Sequence, residues 1–238
     1  MKKKGIVFLA VISFATFSNA AQEEEKTFSG EVKSGLYSSY DSSITGVTFY
    51  EHPVMQQSLT LTHNPSGVYA SVWNSYSPNG REDCGDEIDY SIGICREVGK
   101  FKIEVSYSLY NLTKLSSLKG DLHALSLSVG FPEVGGFTPF VSIEKDLPID
   151  KEILPGGFLY KVGGTFEVGG VNCKIYGSGH DGAYGSNRET VSIVRFDACK
   201  EIGIIDNLKA VPAVGLQIPV QADVDMKLIG SINVVYSF

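Results

Sequence analysis

The chain has 238 residues, with 20 Lys and Arg against 27 Asp and Glu, a net charge of −7. An acidic balance of this kind lacks the basic footprint that a nucleic-acid backbone requires, which excludes nucleic acid as a partner class. Thirteen Phe, 12 Tyr and 26 Gly favour strands and turns over helices.

In chain order, the first element is an address. Lys2, Lys3 and Lys4 form a positive start, Gly5 to Phe17 is apolar, and Ser18-Asn19-Ala20 supplies the small residues of a cleavage site. Residues 1–20 therefore read as a secretory signal peptide cut after Ala20. The apolar run falls short of the about 18 residues that a bilayer-spanning helix needs. Removing the three lysines takes the net charge from −7 to −10. Residues 21–28, with Glu23-Glu24-Glu25, read as an acidic lead, and 29–238 as a single domain.

The dominant signal after the lead is a period of two. Phe101-Lys102-Ile103-Glu104-Val105-Ser106-Tyr107-Ser108-Leu109 alternates apolar and polar, as do Ile88 to Ile94, Leu125 to Val129 and Leu228 to Phe238. Such alternation predicts half-buried strands with one apolar face. Twelve are predicted: 29–40, 53–63, 67–77, 86–97, 99–110, 121–132, 137–146, 157–167, 170–179, 189–200, 207–218 and 224–238. The segments 29–40 and 53–63 alternate less regularly, and no helical period competes anywhere.

The connections alternate in length. His63 to Gly67, Glu97 to Gly99, Pro132 to Gly136 and Glu167 to Gly170 are short, whereas 41–52, 77–86, 111–120, 146–157 and 179–189 are longer and polar. Short periplasmic turns, longer extracellular loops and an even strand count are the pattern of a transmembrane β-barrel in a bacterial outer membrane. The connection 200–207 departs from it, being as long as its neighbours. The chain ends at Phe238 on a strand that carries Ile232, Val234 and Tyr236 on the same face. That aromatic ending is the signal read by the outer-membrane barrel-assembly machinery, an expected partner alongside outer-membrane lipid. The fold class predicted is all-β, one antiparallel barrel of about twelve strands with both termini periplasmic. Nothing in the sequence sets an oligomeric state.

In such a barrel the same alternation sorts side chains between lipid and lumen. Phe101, Ile103, Val105, Tyr107 and Leu109 face lipid. The lumen receives Glu31, Lys33, Asp89, Lys102, Glu104, Glu144, Lys161, Glu167, Lys174, Arg195, Asp197, Lys209 and Lys227. These are six acids and seven bases, which are expected to pair inside a narrow barrel. Ile193-Val194 interrupts the alternation of its strand and leaves the parity there least defined. A narrow, weakly ion-selective pore for small polar solutes is the function expected; a closed structural or partner-binding barrel is the alternative.

Two segments resemble a known family. Gly67-Val68-Tyr69-Ala70-Ser71-Val72-Trp73-Asn74-Ser75, followed by Gly85-Asp86-Glu87-Ile88-Asp89-Tyr90-Ser91-Ile92-Gly93, is similar to the paired strands of the TorF-like porins, the Gcw_chp family of outer-membrane proteins. The resemblance implies a porin-like barrel, and it brings no catalytic residues or cofactor.

The remaining motifs read structurally. Gly177-Ser178-Gly179-His180-Asp181-Gly182 spells G-x-G-x-x-G, but no helix follows to make it a nucleotide site, so it reads as an extracellular loop. His180-Asp181 has no nucleophile motif beside it, and the chain is read as a non-enzyme without cofactor or metal. Tyr69 and Trp73 read as interfacial girdle or wall residues. Cysteines 84, 95, 173 and 199 lack C-x-x-C spacing. Opposed residues in a hairpin share a constant index sum. For Cys173 and Cys199 that sum centres the loop at residue 186, inside 179–189, which predicts a disulfide between them. Cys84 and Cys95 are too far apart on an extended strand, at about 3.3 Å per residue, to pair.

Overall fold

The computed structural model describes residues 26–43, 48–78, 86–111, 121–149, 156–181, 190–220 and 225–238. The segment read as a signal peptide, most of the acidic lead, and Cys84 lie outside the described residues. The described residues form fifteen strands: β1 (Phe28–Tyr37), β2 (Tyr40–Asp41), β3 (Thr48–Tyr50), β4 (Val54–His63), β5 (Val68–Tyr76), β6 (Glu87–Val98), β7 (Phe101–Asn111), β8 (Leu122–Gly130), β9 (Phe137–Pro148), β10 (Phe158–Val168), β11 (Val171–His180), β12 (Thr190–Cys199), β13 (Ile202–Ile205), β14 (Leu208–Pro219) and β15 (Lys227–Ser237). Among them there is no helix.

Twelve of the fifteen build one closed barrel. β4 to β12 pair in sequence, β12 pairs with β14, β14 with β15, and β15 returns to β1, which pairs with β4. All pairings are antiparallel, the arrangement predicted from the period of two. Closure runs from Glu31↔Ser237 to Tyr37↔Ser231. Beyond it, Gly30 and Phe238 exchange both backbone hydrogen bonds at 2.9 Å. A side chain at position 30 would put its Cβ 2.3 Å from the Phe238 ring, so glycine there lets the terminal ring lie against β1. Closure gives each of the twelve barrel strands a partner on both sides, so the barrel has no edge strand of the kind that open sheets must cover by other means.

The two ends of the barrel differ as the loop lengths predict. Tight turns join the strands at one end, with glycines in the left-handed region at Gly99 (φ 64°) and at Gly169 and Gly170 (59° and 75°). The long connections all lie at the other end. The irregular connection 200–207 belongs to the short-turn end: β13 folds back on β14, pairing Ile202 with Ala210 and Gly203 with Lys209, and Asn207 turns the chain at φ 48°. It is a hairpin extension that projects beyond the barrel, which explains its length.

Register fixes which face each residue occupies, because direct cross-strand partners share a face and neighbours alternate. The broken alternation at Ile193-Val194 is a β-bulge. Ser178 pairs with Ile193 but Gly179 pairs with Val191, so Ser192 is the extra residue of the bulge and shifts the phase of the strand.

Candidate functional site

The two faces of the barrel wall have opposite chemistry. On the outer face, partners such as Val72↔Tyr90, Ile92↔Tyr107 and Leu127↔Ile143 form a continuous apolar belt. Ile92 is 55% exposed and Leu125 50%, values that would be costly in water over so wide a surface. Arg96 and Lys145 are the charged outward residues among the described strands, and both lie near strand ends. Arg96 donates to the carbonyls of Pro65 and Ser66 in a short turn, and Lys145 lies 4.0 Å above the Phe158 ring.

The inner face is polar and divided by sign. On β5 to β9 the register carries Glu87, Asp89, Glu97, Glu104, Glu144 and Asp146 inward, with Lys102 the lone inward base. On β10 to β15 and β1 it carries Lys161, Lys174, Arg195, Lys209, Lys227 and Lys33 inward, with Glu31, Glu167 and Asp197 the acids. Glu87, Glu97 and Asp146 are additions that the register makes to the lumen residues expected from the sequence. Strand order therefore places most acids on one wall and most bases on the other.

That segregation corrects the expectation of internal pairing. Among the described residues three ion pairs form, and just one joins two of the predicted lumen residues, Arg195 Nε to Asp197 Oδ1 at 2.8 Å. Lys209 pairs with Glu201 of the projecting hairpin at 2.6 Å. Lys227 pairs with Asp41 at 3.2 Å. Two of the acids are held by uncharged groups: Glu104 accepts from the Tyr69 hydroxyl at 2.5 Å, and Glu144 accepts from Ser126 at 2.6 Å. Lys174 lies 4.8 Å above the Phe140 ring and 5.3 Å above Tyr176.

Asp41 belongs to a feature that period-two reading cannot reveal. The connection between β1 and β4 carries the small hairpin β2–β3, which folds into the barrel and touches several walls. Asp41 reaches Lys227 on β15, Ser43 accepts from Lys161 of β10 at 3.1 Å, and the Tyr40 hydroxyl bonds the Glu87 carboxylate on β6. The Tyr40 ring also meets Trp73 of β5, with centroids 5.8 Å apart. Within the hairpin, Ser39 and Thr48 donate to the two Asp41 oxygens, so the buried carboxylate organises both loop and wall. An internal cavity of 350 Å³ lies against this loop, with Trp73, Asp89, Glu144 and Arg195 in its lining. A second of 640 Å³ opens toward the short-turn end beside Lys174, Asp197 and Glu167.

Three further expectations are corrected. Tyr69 and Trp73 are wall residues of β5 but not an interfacial girdle, because they project inward: their register partners Gly93 and Asp89 share the lumen face, while Ala70 and Val72 point out. The signal was present in Ser71 and Ser75, which alternate with those outward residues. Gly177 and Gly179 are not loop residues but lie within β11, opposite Val162 and Tyr160; residues 182–189 lie outside the described residues. Asp181 caps β10 by accepting the Phe158 amide at 2.5 Å. Finally, Cys173 and Cys199 are free thiols. The register pairs Cys173 with Ala198 and Cys199 with Asn172, one residue off the predicted pairing. A one-residue slip puts two side chains on opposite faces, which forbids the disulfide.

No family model and no curated protein matches this sequence. Solved structures do. The chain is similar to the KdgM porin at TM-score 0.54 and 10% identity, covering 88% of this chain and 99% of that one. It is also similar to the KdgM porin in complex with disordered oligogalacturonate, at TM-score 0.53 and the same identity and coverage. The NanC porin matches at TM-score 0.54 and 8% identity, over 88% of this chain and 98% of that chain. At such identity the likeness is one of architecture: this chain has the twelve-stranded, porin-like barrel fold.

Proposed function

We propose that the protein is a narrow outer-membrane porin that lets small polar solutes diffuse passively across a bacterial outer membrane. One observation carries the reading: a closed barrel with an uncharged apolar belt outside and charged, hydroxyl-lined cavities inside. A water-soluble barrel has no use for that inversion, whereas a bilayer requires the belt and tolerates the polar interior. The resemblance of residues 67–75 and 85–93 to the TorF-like porins supports the same role. The strand ending at Phe238 suits insertion by the barrel-assembly machinery, and the belt suits outer-membrane lipid.

The hairpin folded into the lumen favours a second reading, a barrel closed by its own loop that serves as a structural or partner-binding element. Single-channel recording in planar bilayers separates the two. A porin gives discrete current steps that persist at low voltage. A barrel without conductance, correctly folded by its heat-dependent shift on gels, overturns the channel reading.

A further inference from the structure

Below the loop, toward the middle of the barrel, a cavity of 310 Å³ is lined by Glu104 on one side, Lys161 and Lys174 on the other, and a serine floor between them. The register makes this a continuous band. Glu104 pairs with Ser128, Ser128 with Ser142, and Ser142 with Lys161, so acid, two hydroxyls and base sit side by side on four successive strands. Three strand spacings separate the charged ends by about 14 Å along the wall, at about 4.8 Å per strand. Both side chains extend inward and shorten that gap across the curved wall.

The charges at this level are not consumed by one another. Glu104 is held by the Tyr69 hydroxyl, Lys161 by Ser43 and Lys174 by aromatic faces, and among the described residues none of the three forms an ion pair. The upper cavity repeats the polarity, with Asp89 and Glu144 across from Arg195. A solute passing the barrel therefore meets an acidic wall and a basic wall at both levels.

From this arrangement we infer that the lumen selects small zwitterions, compounds bearing both an ammonium and a carboxylate group, such as free amino acids. The inference rests on the porin reading and names its solute class. The ammonium group is received by Glu104 and the carboxylate by Lys161 and Lys174, while the serine hydroxyls replace water along the solute's length. A solute of single charge gains on one wall and is repelled by the other, so neither sign is favoured alone. A neutral polyol of the same size gains on neither wall.

Swelling of proteoliposomes tests this with serine as the zwitterion and erythritol as the neutral solute of similar size, alongside conductance of the same preparation. Serine should enter about five-fold faster than erythritol, the factor that one screened ion pair supplies. Both Glu104→Gln and the double variant Lys161→Met/Lys174→Met, each checked for folding by its gel shift, should bring that ratio toward one. Equal rates through the conducting wild-type channel overturn the zwitterion inference and leave the porin reading standing. A ratio that survives both variants overturns the assignment to this band. Absence of conductance and of swelling for either solute overturns both readings.

Discussion

The hairpin inside the barrel should be held by the ion pair between Asp41 and Lys227, and replacing Asp41 by Ala should loosen it. The Asp41 carboxylate is 1% exposed and Lys227 28%, at 3.2 Å. Asp41 also accepts hydrogen bonds from Ser39 and Thr48. Removing one partner of a buried pair costs about 3–5 kcal/mol because the other charge is stranded; Lys227 keeps some access to water, so the lower end applies. About 3 kcal/mol shifts the docked-to-undocked ratio of the hairpin by about a hundred-fold, at about 1.4 kcal/mol per decade. The contacts of Tyr40 with Glu87 and of Ser43 with Lys161 remain, so the hairpin should fluctuate and not leave permanently. Single-channel records of Asp41→Ala should show added high-conductance bursts over the wild-type level. Lys227→Met in the same background should recover part of the loss, because the stranded charge is gone. An Asp41→Ala channel with wild-type conductance and open-level noise would refute the reasoning.

Further predictions concern the wall and the thiols. Ile92→Arg, in the middle of the outer belt, should destabilise the barrel in lipid by about 2–4 kcal/mol, read as an earlier urea midpoint by Trp73 fluorescence; an unchanged midpoint would contradict the lipid-facing assignment. Deleting Phe238 removes two backbone hydrogen bonds to Gly30, each contributing about 1 kcal/mol. Assembly into liposomes should slow and the gel-shift temperature should fall, and full retention of both would count against closure through this residue. Alkylation of denatured protein without reductant should label Cys173 and Cys199 completely, and a peptide pair released only by reductant would overturn the register.

Much of the architecture is local information, and was legible for that reason. Alternation over Phe101 to Leu109 or Leu228 to Phe238 requires each strand to have one apolar and one polar face, whatever it pairs with. The difference between the Glu97–Gly99 turn and the long polar connections then assigns the two ends. Where the local pattern is ambiguous, reading stalls. Tyr69 and Trp73 are aromatic and suit either face, and only pairing with Gly93 and Asp89 turns them inward. At the cysteines, a hairpin centre misplaced by half a residue reverses one side chain, a sensitivity inherent in a period of two.

What the sequence by itself determined is the closed set of twelve two-faced strands and the inward projection that alternation demands of Lys102 and Glu104. Only the tertiary structure decided how those strands share their charges: ring order gathers Glu87, Asp89, Glu104, Glu144 and Asp146 on one wall and most lysines on the other, so the six acids and seven bases that suggested pairing become a lumen of two signs. It likewise decided that the β2–β3 hairpin enters the barrel. Contacts such as Asp41 with Lys227 join residues 186 positions apart. No local pattern encodes such a separation; it exists once the barrel has closed and brought β15 beside β1.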